Sequence, residues 1–323
     1  MKKPFTWGII GGGFISHQFA EGLKNLSDVR IGAVASASHT GSPISAERYY
    51  NDYEQLAEDE EIDAIYIGTI HPRHFENICL CLQNKKPVLC EKPIVMHASQ
   101  MECLLELSEK SGTLLMEAMW SRFLPLYVYL KEKIKKGEFG KIEHMKISFG
   151  EKAEPSKKRL FSADLGGGAL MDIGVYGINL AKWLLEEDPK KIQSWVRVNE
   201  EGVDLTTFCS MHFSDLCDVE MTVSIEKKLE NSMWIMTDKG EYYIPYFWRP
   251  DTLFRFSPGQ NFDMNRPCQK NVFEIKGNGY QYEAAAFQET VYKGELDNST
   301  MPRKESLKVM KILDEIRENA IHL

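Results

Sequence analysis

The sequence predicts an α/β protein whose N-terminal part is a doubly wound parallel sheet. Its C-terminal part is predicted as a second α/β domain with a large, mostly antiparallel sheet. Strands and helices alternate over the first third of the chain, which implies parallel strands crossed by helices. A glycine triplet, Gly11-Gly12-Gly13, closes the first strand-like run and opens the first helix. Beyond about Leu185, strand-like runs follow one another without helices between them, the pattern of an antiparallel sheet. At roughly 100–200 residues per domain, 323 residues suffice for two. The texture changes between Trp120 and Pro125, which divides the chain into 1–121 and 122–323.

In the first part, the apolar runs Phe5–Ile10, Val29–Ala35, Ile62–Ile67, Pro87–Cys90 and Thr113–Glu117 are read as strands. Helical periodicity covers Phe14–Leu26, Phe75–Gln83 and Met101–Ser111. In the second part a helix over Leu126–Lys136 leads to a strand at Ile142–Phe149, then to a glycine-rich segment and a long helix ending near Leu185. Strands are expected at Ile192–Val198, Thr206–Phe213, Asp218–Ile225, Ser232–Thr237 and Glu241–Pro245, and an amphipathic helix at Glu305–Ala320. No internal repeat is present.

Composition excludes several classes. The net charge of −8 argues against a broad phosphate-binding surface, and so against nucleic acid as partner. No apolar run reaches the roughly 18 residues of a membrane span. Met1–Pro4 is too short for a signal peptide, because a strand begins at Phe5, and a cytoplasmic location is expected. The seven cysteines (79, 81, 90, 103, 209, 217 and 268) are odd in number and lack Cys-x-x-Cys spacing. They are read as reduced thiols, with neither a disulfide framework nor a metal site.

The glycine turn continues Phe14-Ile15-Ser16, giving Gly-x-Gly-x-x-Ser between a strand and a helix. Such a turn brings backbone close to a pyrophosphate, which then sits against the N–H groups of a helix N-terminus. Gly11, Gly13, Phe14 and Ile15 are therefore candidate dinucleotide-binding residues. A carboxylate about 20 residues on would favour NAD by bonding the ribose 2′-hydroxyl. The second strand ends Ala35-Ser36-Ala37-Ser38-His39-Thr40 with no carboxylate. Ser36 and Ser38 can donate to a 2′-phosphate, so NADP is preferred over NAD.

Lys92 follows Glu91 at the end of a short buried strand and precedes Pro93. Ligands of open α/β sheets bind beyond such strand ends, so Glu91 and Lys92 are candidate cofactor-binding residues and Lys92 is placed beside a nicotinamide. The alternative is a surface lysine paired with Glu91. The preceding strand end, Gly68-Thr69-Ile70-His71-Pro72-Arg73-His74, would border the same cofactor. Thr69, His71 and His74 are candidates for its ribose or nicotinamide, with a structural hydrogen-bonding role as the alternative for each histidine.

In Gly166-Gly167-Gly168-Ala169-Leu170-Met171-Asp172-Ile173-Gly174-Val175-Tyr176-Gly177-Ile178-Asn179, Asp172 and Tyr176 are four apart and share a helix face. Gly174 and Gly177 each cost about 1 kcal/mol relative to alanine in a helix, which close approach to a cofactor or another backbone would justify. A tyrosine exchanges a proton with an alcohol once a nearby ammonium lowers its pKa, and Lys92 can supply that charge. The alternative is a core tyrosine whose hydroxyl is satisfied by Asp172.

Taken in order, the glycine turn, Glu91-Lys92-Pro93 and the Gly166–Tyr176 run resemble the glucose-fructose oxidoreductase/inositol dehydrogenase (Gfo/Idh/MocA) family. Gly279–Glu283 and Ser306-Leu307 extend the resemblance over nearly the whole chain. Glu117 to Pro125 and the tyrosine at 176 resemble the dimeric dihydrodiol dehydrogenase and NADP-dependent xylose dehydrogenase branch. The resemblance implies a Rossmann domain followed by a domain with an open-faced sheet, often used for dimerisation, so a homodimer or homotetramer is expected. It implies that Lys92 and Tyr176 act together in proton transfer, that Asp172 orients substrate or lysine, and that Trp120 and Arg122 line the cleft with them. The implied reaction is hydride transfer between nicotinamide and a CH–OH group of a sugar, polyol or cyclic diol. Two other readings stand beside it: a non-catalytic NADP-binding regulator, and a reductase of another substrate class such as an imine or tetrapyrrole. Where many family members that bind NADP carry an arginine after the second strand, this chain has none.

Overall fold

A computed structural model describes residues 3–36, 44–214, 217–258 and 266–323. The chain divides into two compact units, one of residues 1–120 with 276–310, the other of 121–275 with 311–323.

The first unit opens with β1 (Phe5–Ile10), α1 (Phe14–Leu23), β2 (Val29–Ala35), β3 (Arg48–Tyr50), α2 (Tyr53–Glu58) and β4 (Ala64–Ile67). It continues with α3 (His74–Gln83), β5 (Val88–Glu91), α4 (Ala98–Ser111) and β6 (Leu115–Ala118). Every pairing in its sheet is parallel, in the order β3-β2-β1-β4-β5-β6. β1, β4 and β5 are buried at every residue, as strands covered on both faces must be. The strand order reverses between β1 and β4, so their C-terminal ends flank the crevice where a dinucleotide sits in such sheets.

The second unit contains α5 (Pro125–Lys135), β7 (Ile142–Gly150) and α6 (Val175–Leu185), then β8 (Lys191–Val198), β9 (Asp204–Ser214) and β10 (Cys217–Ser224). β11 (Ser232–Thr237), β12 (Gly240–Pro245), β13 (Thr252–Phe256) and β14 (Gln269–Val272) follow. The chain closes with α7 (Tyr280–Lys293), α8 (Arg303–Glu318) and β15 (Ile321–His322). Among the described residues the second sheet has nine strands in the order β14-β13-β12-β11-β7-β10-β9-β8-β15. It is antiparallel except where β7 meets β10 and β8 meets β15. β9 alternates between buried residues (Thr207, Cys209, Met211, Phe213) and half-exposed ones, the period-two pattern of a sheet with one covered face.

α7 returns to the first unit because its apolar side completes that core. Phe287 lies 5.3 Å from Trp7 of β1, and Tyr292 lies 5.6 Å from Phe5, ring centre to ring centre. The sequence pattern did not single out β3 or α2, which are only three and six residues long.

Candidate active site

The glycine turn has the shape a pyrophosphate needs. Gly11 has φ +100°, and a Cβ there would stand 2.9 Å from the Gly68 carbonyl oxygen, so only glycine fits. A Cβ on Gly13 would meet nothing within 4 Å, so the approach to the first turn of α1 is open. Gly13 is the N-cap of α1; no side chain caps it and no acidic residue stands in the first turn. That end is suited to an anion. Phe14 is 79% exposed beside it, and Ile15 is half-buried. Ser16, in the third glycine position, is buried close to Gly68, where α1 crosses the sheet. Ser36 directly follows β2 and points its N–H at the Tyr50 carbonyl (3.4 Å). Ser38 lies outside the described residues.

Lys92 stands immediately past β5, half-buried, with a cis bond to Pro93. The main chain around it is held by buried side chains. Glu91 Oε2 accepts from the Lys92 N–H (3.3 Å), and Oε1 accepts from the Tyr66 hydroxyl of β4 (2.6 Å). His74 places its two ring nitrogens 3.0 Å from the Pro93 carbonyl oxygen and 3.1 Å from that of Thr69. Glu117 Oε1 accepts from the Ile94 N–H (3.1 Å), and its Oε2 accepts from Ser306 (2.8 Å). Thr69 Oγ1 accepts from Asn77 (3.2 Å), and His71 is buried with its ring 5.7 Å from that of His74.

The electrostatics follow from burial. Desolvation pushes the Glu91 carboxyl up to about 7, against the opposing pull of the Tyr66 hydrogen bond and the Lys92 charge. Desolvation lowers His74, so a neutral ring donates to one of its two carbonyls. The Glu91 carboxylate, a candidate cofactor contact, is engaged by Tyr66 and the Lys92 N–H, and both His74 nitrogens face carbonyl oxygens, the structural role that stood as the alternative for that histidine.

In the second unit, Asp172 lies in a π-helical turn, Leu170–Gly174, that runs into α6 with Tyr176. Single π-turns within α-helices recur at functional sites. Arg159 Nη2 bonds Asp172 Oδ1 at 2.9 Å. Asp204 Oδ2 accepts from the Leu170 N–H at the start of the turn (2.7 Å), and burial pushes this carboxyl up to about 6. Tyr176 is buried, its ring 6.4 Å from that of Phe149, and Phe149 stacks on Trp248 at 3.8 Å and 6°. The close approach expected at Gly174 and Gly177 is to the sheet: a Cβ on Gly177 would stand 2.6 Å from Met221 Sδ and 3.1 Å from Ile147.

Arg122, expected to line a cleft, is fully buried. Its guanidinium donates to Asn179 Oδ1 (2.5 Å) and to the Asn179 carbonyl (3.2 Å) and lies over the Trp183 ring, so it ties the chain to α6. Trp120 is buried in the first unit and stacks on Tyr280 at 4.6 Å. Sequence reasoning missed Tyr66, Arg159 and Phe149. A basic residue just ahead of the glycine-rich segment signalled Arg159, whereas Tyr66 and Phe149 read as ordinary strand residues. Among the described residues no group of three His, Cys, Asp or Glu side chains could hold a metal ion. No helix there is long and apolar enough to cross a membrane.

A parallel sheet of this order, with an uncapped first helix at its switch point, is the fold of proteins that bind a dinucleotide, and Lys92 stands at the neighbouring strand end. Residues 5–119 match the family described as "Oxidoreductase family, NAD-binding Rossmann fold", and residues 127–243 match "GFO/IDH/MocA C-terminal domain". The chain belongs to the Gfo/Idh/MocA family of nicotinamide-dependent oxidoreductases. It is 32% identical over 321 residues to trans-1,2-dihydrobenzene-1,2-diol dehydrogenase of Xenopus laevis, covering 97% of each chain. Its fold is similar to that of a 3-ketoreductase from Actinomadura kijaniata in complex with NADP and TDP-benzene (TM-score 0.87, 22% identity, 99% of each chain). It is also similar to aldose-aldose oxidoreductase from Caulobacter crescentus complexed with glycerol (TM-score 0.85, 19% identity, 98% of this chain and 97% of the other).

Proposed function

We propose that the protein oxidises or reduces a CH–OH group of a cyclic diol or sugar with NADP(H), using Tyr176 for the hydroxyl proton and Lys92 to tune it. The single observation that carries this reading is the grouping of Tyr176 with the Phe149–Trp248 stack and the Arg159–Asp172 pair. A phenol beside two coplanar aromatic rings suits a flat or cyclic alcohol, because ring faces bury apolar surface while a polar group orients the hydroxyl.

Gly11, Gly13, Phe14, Ile15 and Ser36 would hold the dinucleotide, whose nicotinamide supplies the hydride acceptor or donor when bound. In the oxidative direction the Tyr176 phenolate takes the hydroxyl proton; in the reductive direction the phenol returns it to the nascent alkoxide. The family resemblance gives the Lys92 ammonium the part of favouring the phenolate of a tyrosine whose reference pKa is about 10. Asp172, fixed by Arg159, orients the substrate hydroxyl. NADP is favoured because no carboxylate follows β2 to repel a 2′-phosphate.

The half-exposed Trp195, Phe208 and Trp234 on the uncovered face of the second sheet support association into a homodimer. Seven free cysteines suit the reducing cytoplasm. The test is fluorescence titration with NADPH and NADH, followed by a panel of cyclic diols, aldoses and open-chain polyols. Tighter NADPH binding and turnover of cyclic diols are expected. Exclusive NADH use, or turnover of open-chain polyols alone, would contradict the reading.

A further inference from the structure

The interior beneath Lys92 holds more ionisable groups than a core needs. Tyr66, Glu91, Glu117 and Glu283 are each at most 5% exposed and lie in the first unit. Neither carboxylate oxygen of Glu283 has a hydrogen-bond partner among the described residues, and burial together with Glu91 pushes this carboxyl well up. Buried charged and polar groups often contribute less stability than apolar side chains of the same volume. Ionisable groups shifted by burial concentrate at functional sites.

The geometry shows what this cluster reaches. Tyr66 is locked by its ring, which stacks on Phe19 at 3.8 Å and 3°. Its hydroxyl grips one oxygen of Glu91, and the other oxygen receives the main-chain N–H of Lys92. The next two residues are held as well, Pro93 by His74 and Ile94 by Glu117.

We propose that Tyr66 is a positioning residue for the reaction: through Glu91 it fixes the main chain of Lys92 and sets the negative charge beside the lysine ammonium. This inference rests on Lys92 being the reaction-centre lysine. The groups bearing on Glu91 are Tyr66 from β4, Cys90 in its own strand, Glu117 from β6, Glu283 from α7 and Lys92 itself; His74 of α3 bears on Lys92. The Tyr66 hydrogen bond favours the ionised carboxylate. Its loss leaves Glu91 protonated to higher pH, so that over the range where Glu91 titrates the negative charge coupled to Lys92 is withdrawn.

The test is Tyr66→Phe, which keeps the stacked ring and removes the hydroxyl. The readout is the rate at which Lys92 is reductively methylated across pH, followed by peptide mass spectrometry in the full-length protein with no substrate present. Lys92 labelling at about pH 7–8, where Glu91 titrates, is expected to be about threefold or more faster than in the wild type, while NADPH affinity stays within about twofold. A kcat loss of about tenfold at unchanged cofactor KM should accompany it. Should Tyr66→Phe fail to fold, Glu91→Gln is the second variant, with faster Lys92 labelling expected at every pH above about 7, because the charge is gone throughout. A labelling profile that superimposes on that of the wild type, in whichever folded variant is measured, overturns the inference. Because labelling needs no turnover, this failure is distinct from failure of the proposed reaction, which would show as Lys92→Met retaining wild-type turnover.

Discussion

Arg159 reaches Asp172 across 2.9 Å and joins the segment ahead of the glycine run to the π-turn that leads into Tyr176. The arginine side chain is 36% exposed and the aspartate 19%, so the pair contributes little stability, about 0–1 kcal/mol. On the proposed reaction, its effect belongs to substrate orientation. Arg159→Met is expected to lower kcat/KM about tenfold or more with a barely altered melting temperature. Arg159→Lys should recover part of the loss, because it restores the charge without the planar fork. Steady-state kinetics beside thermal melts check this.

Gly13→Ala separates fold from cofactor binding. The added methyl meets open space in the protein, so stability should change by no more than about 0.5 kcal/mol. The same methyl intrudes where backbone must approach a pyrophosphate, and NADPH affinity is expected to fall at least about tenfold. Gly11→Ala, at φ +100° against the Gly68 carbonyl, should instead destabilise the domain itself. Fluorescence titration and denaturant melts on both variants distinguish the two roles.

Gly177→Ala sets helix propensity against packing. Propensity alone would stabilise α6 by about 1 kcal/mol. The new Cβ would stand 2.6 Å from Met221 Sδ, and such overpacking costs about 1–3 kcal/mol, so net destabilisation is expected. Combined with Met221→Ala, the penalty should be smaller than the sum of the two single changes, as a double-mutant cycle in denaturant would show.

Asp204 makes stability depend on pH. Burial raises its folded-state pKa to about 6, above that of an unfolded aspartate. The folded state therefore binds the extra proton between about pH 4 and 6, and this group's contribution is greatest below that window and lost as pH rises through it. Asp204→Asn keeps an acceptor for Leu170 and removes the titration. Its stability relative to wild type should improve from pH 4 to pH 6 and then level off. Denaturant melts that show an equal difference at pH 5 and pH 8 would contradict this.

Much of this was legible in the sequence for physical reasons. The first sheet's strands are buried on both faces, so they appear as continuous apolar runs, and the glycine turn announces itself because no other residue tolerates φ +100° at Gly11. Lys92 stands out in the sequence because a proline halts its strand at the edge where ligands of such sheets bind. What stayed hidden depends on three-dimensional partners. Nothing local reveals that Arg122 turns inward to Asn179, that His74 bridges two carbonyls, or that α7 supplies Phe287 and Glu283 to a core begun some 280 residues earlier. Ser38, weighed for the 2′-phosphate, lies outside the described residues, so cofactor preference rests on the absent carboxylate.

The most direct measurement of the central claim is single-turnover hydride transfer by Lys92→Met, followed by nicotinamide absorbance with NADP(H) and a cyclic diol or its ketone. The variant is expected to bind NADPH within about twofold of wild type and to transfer hydride at least about a hundredfold more slowly. Transfer at the wild-type rate would contradict the assignment of Lys92 to the reaction centre.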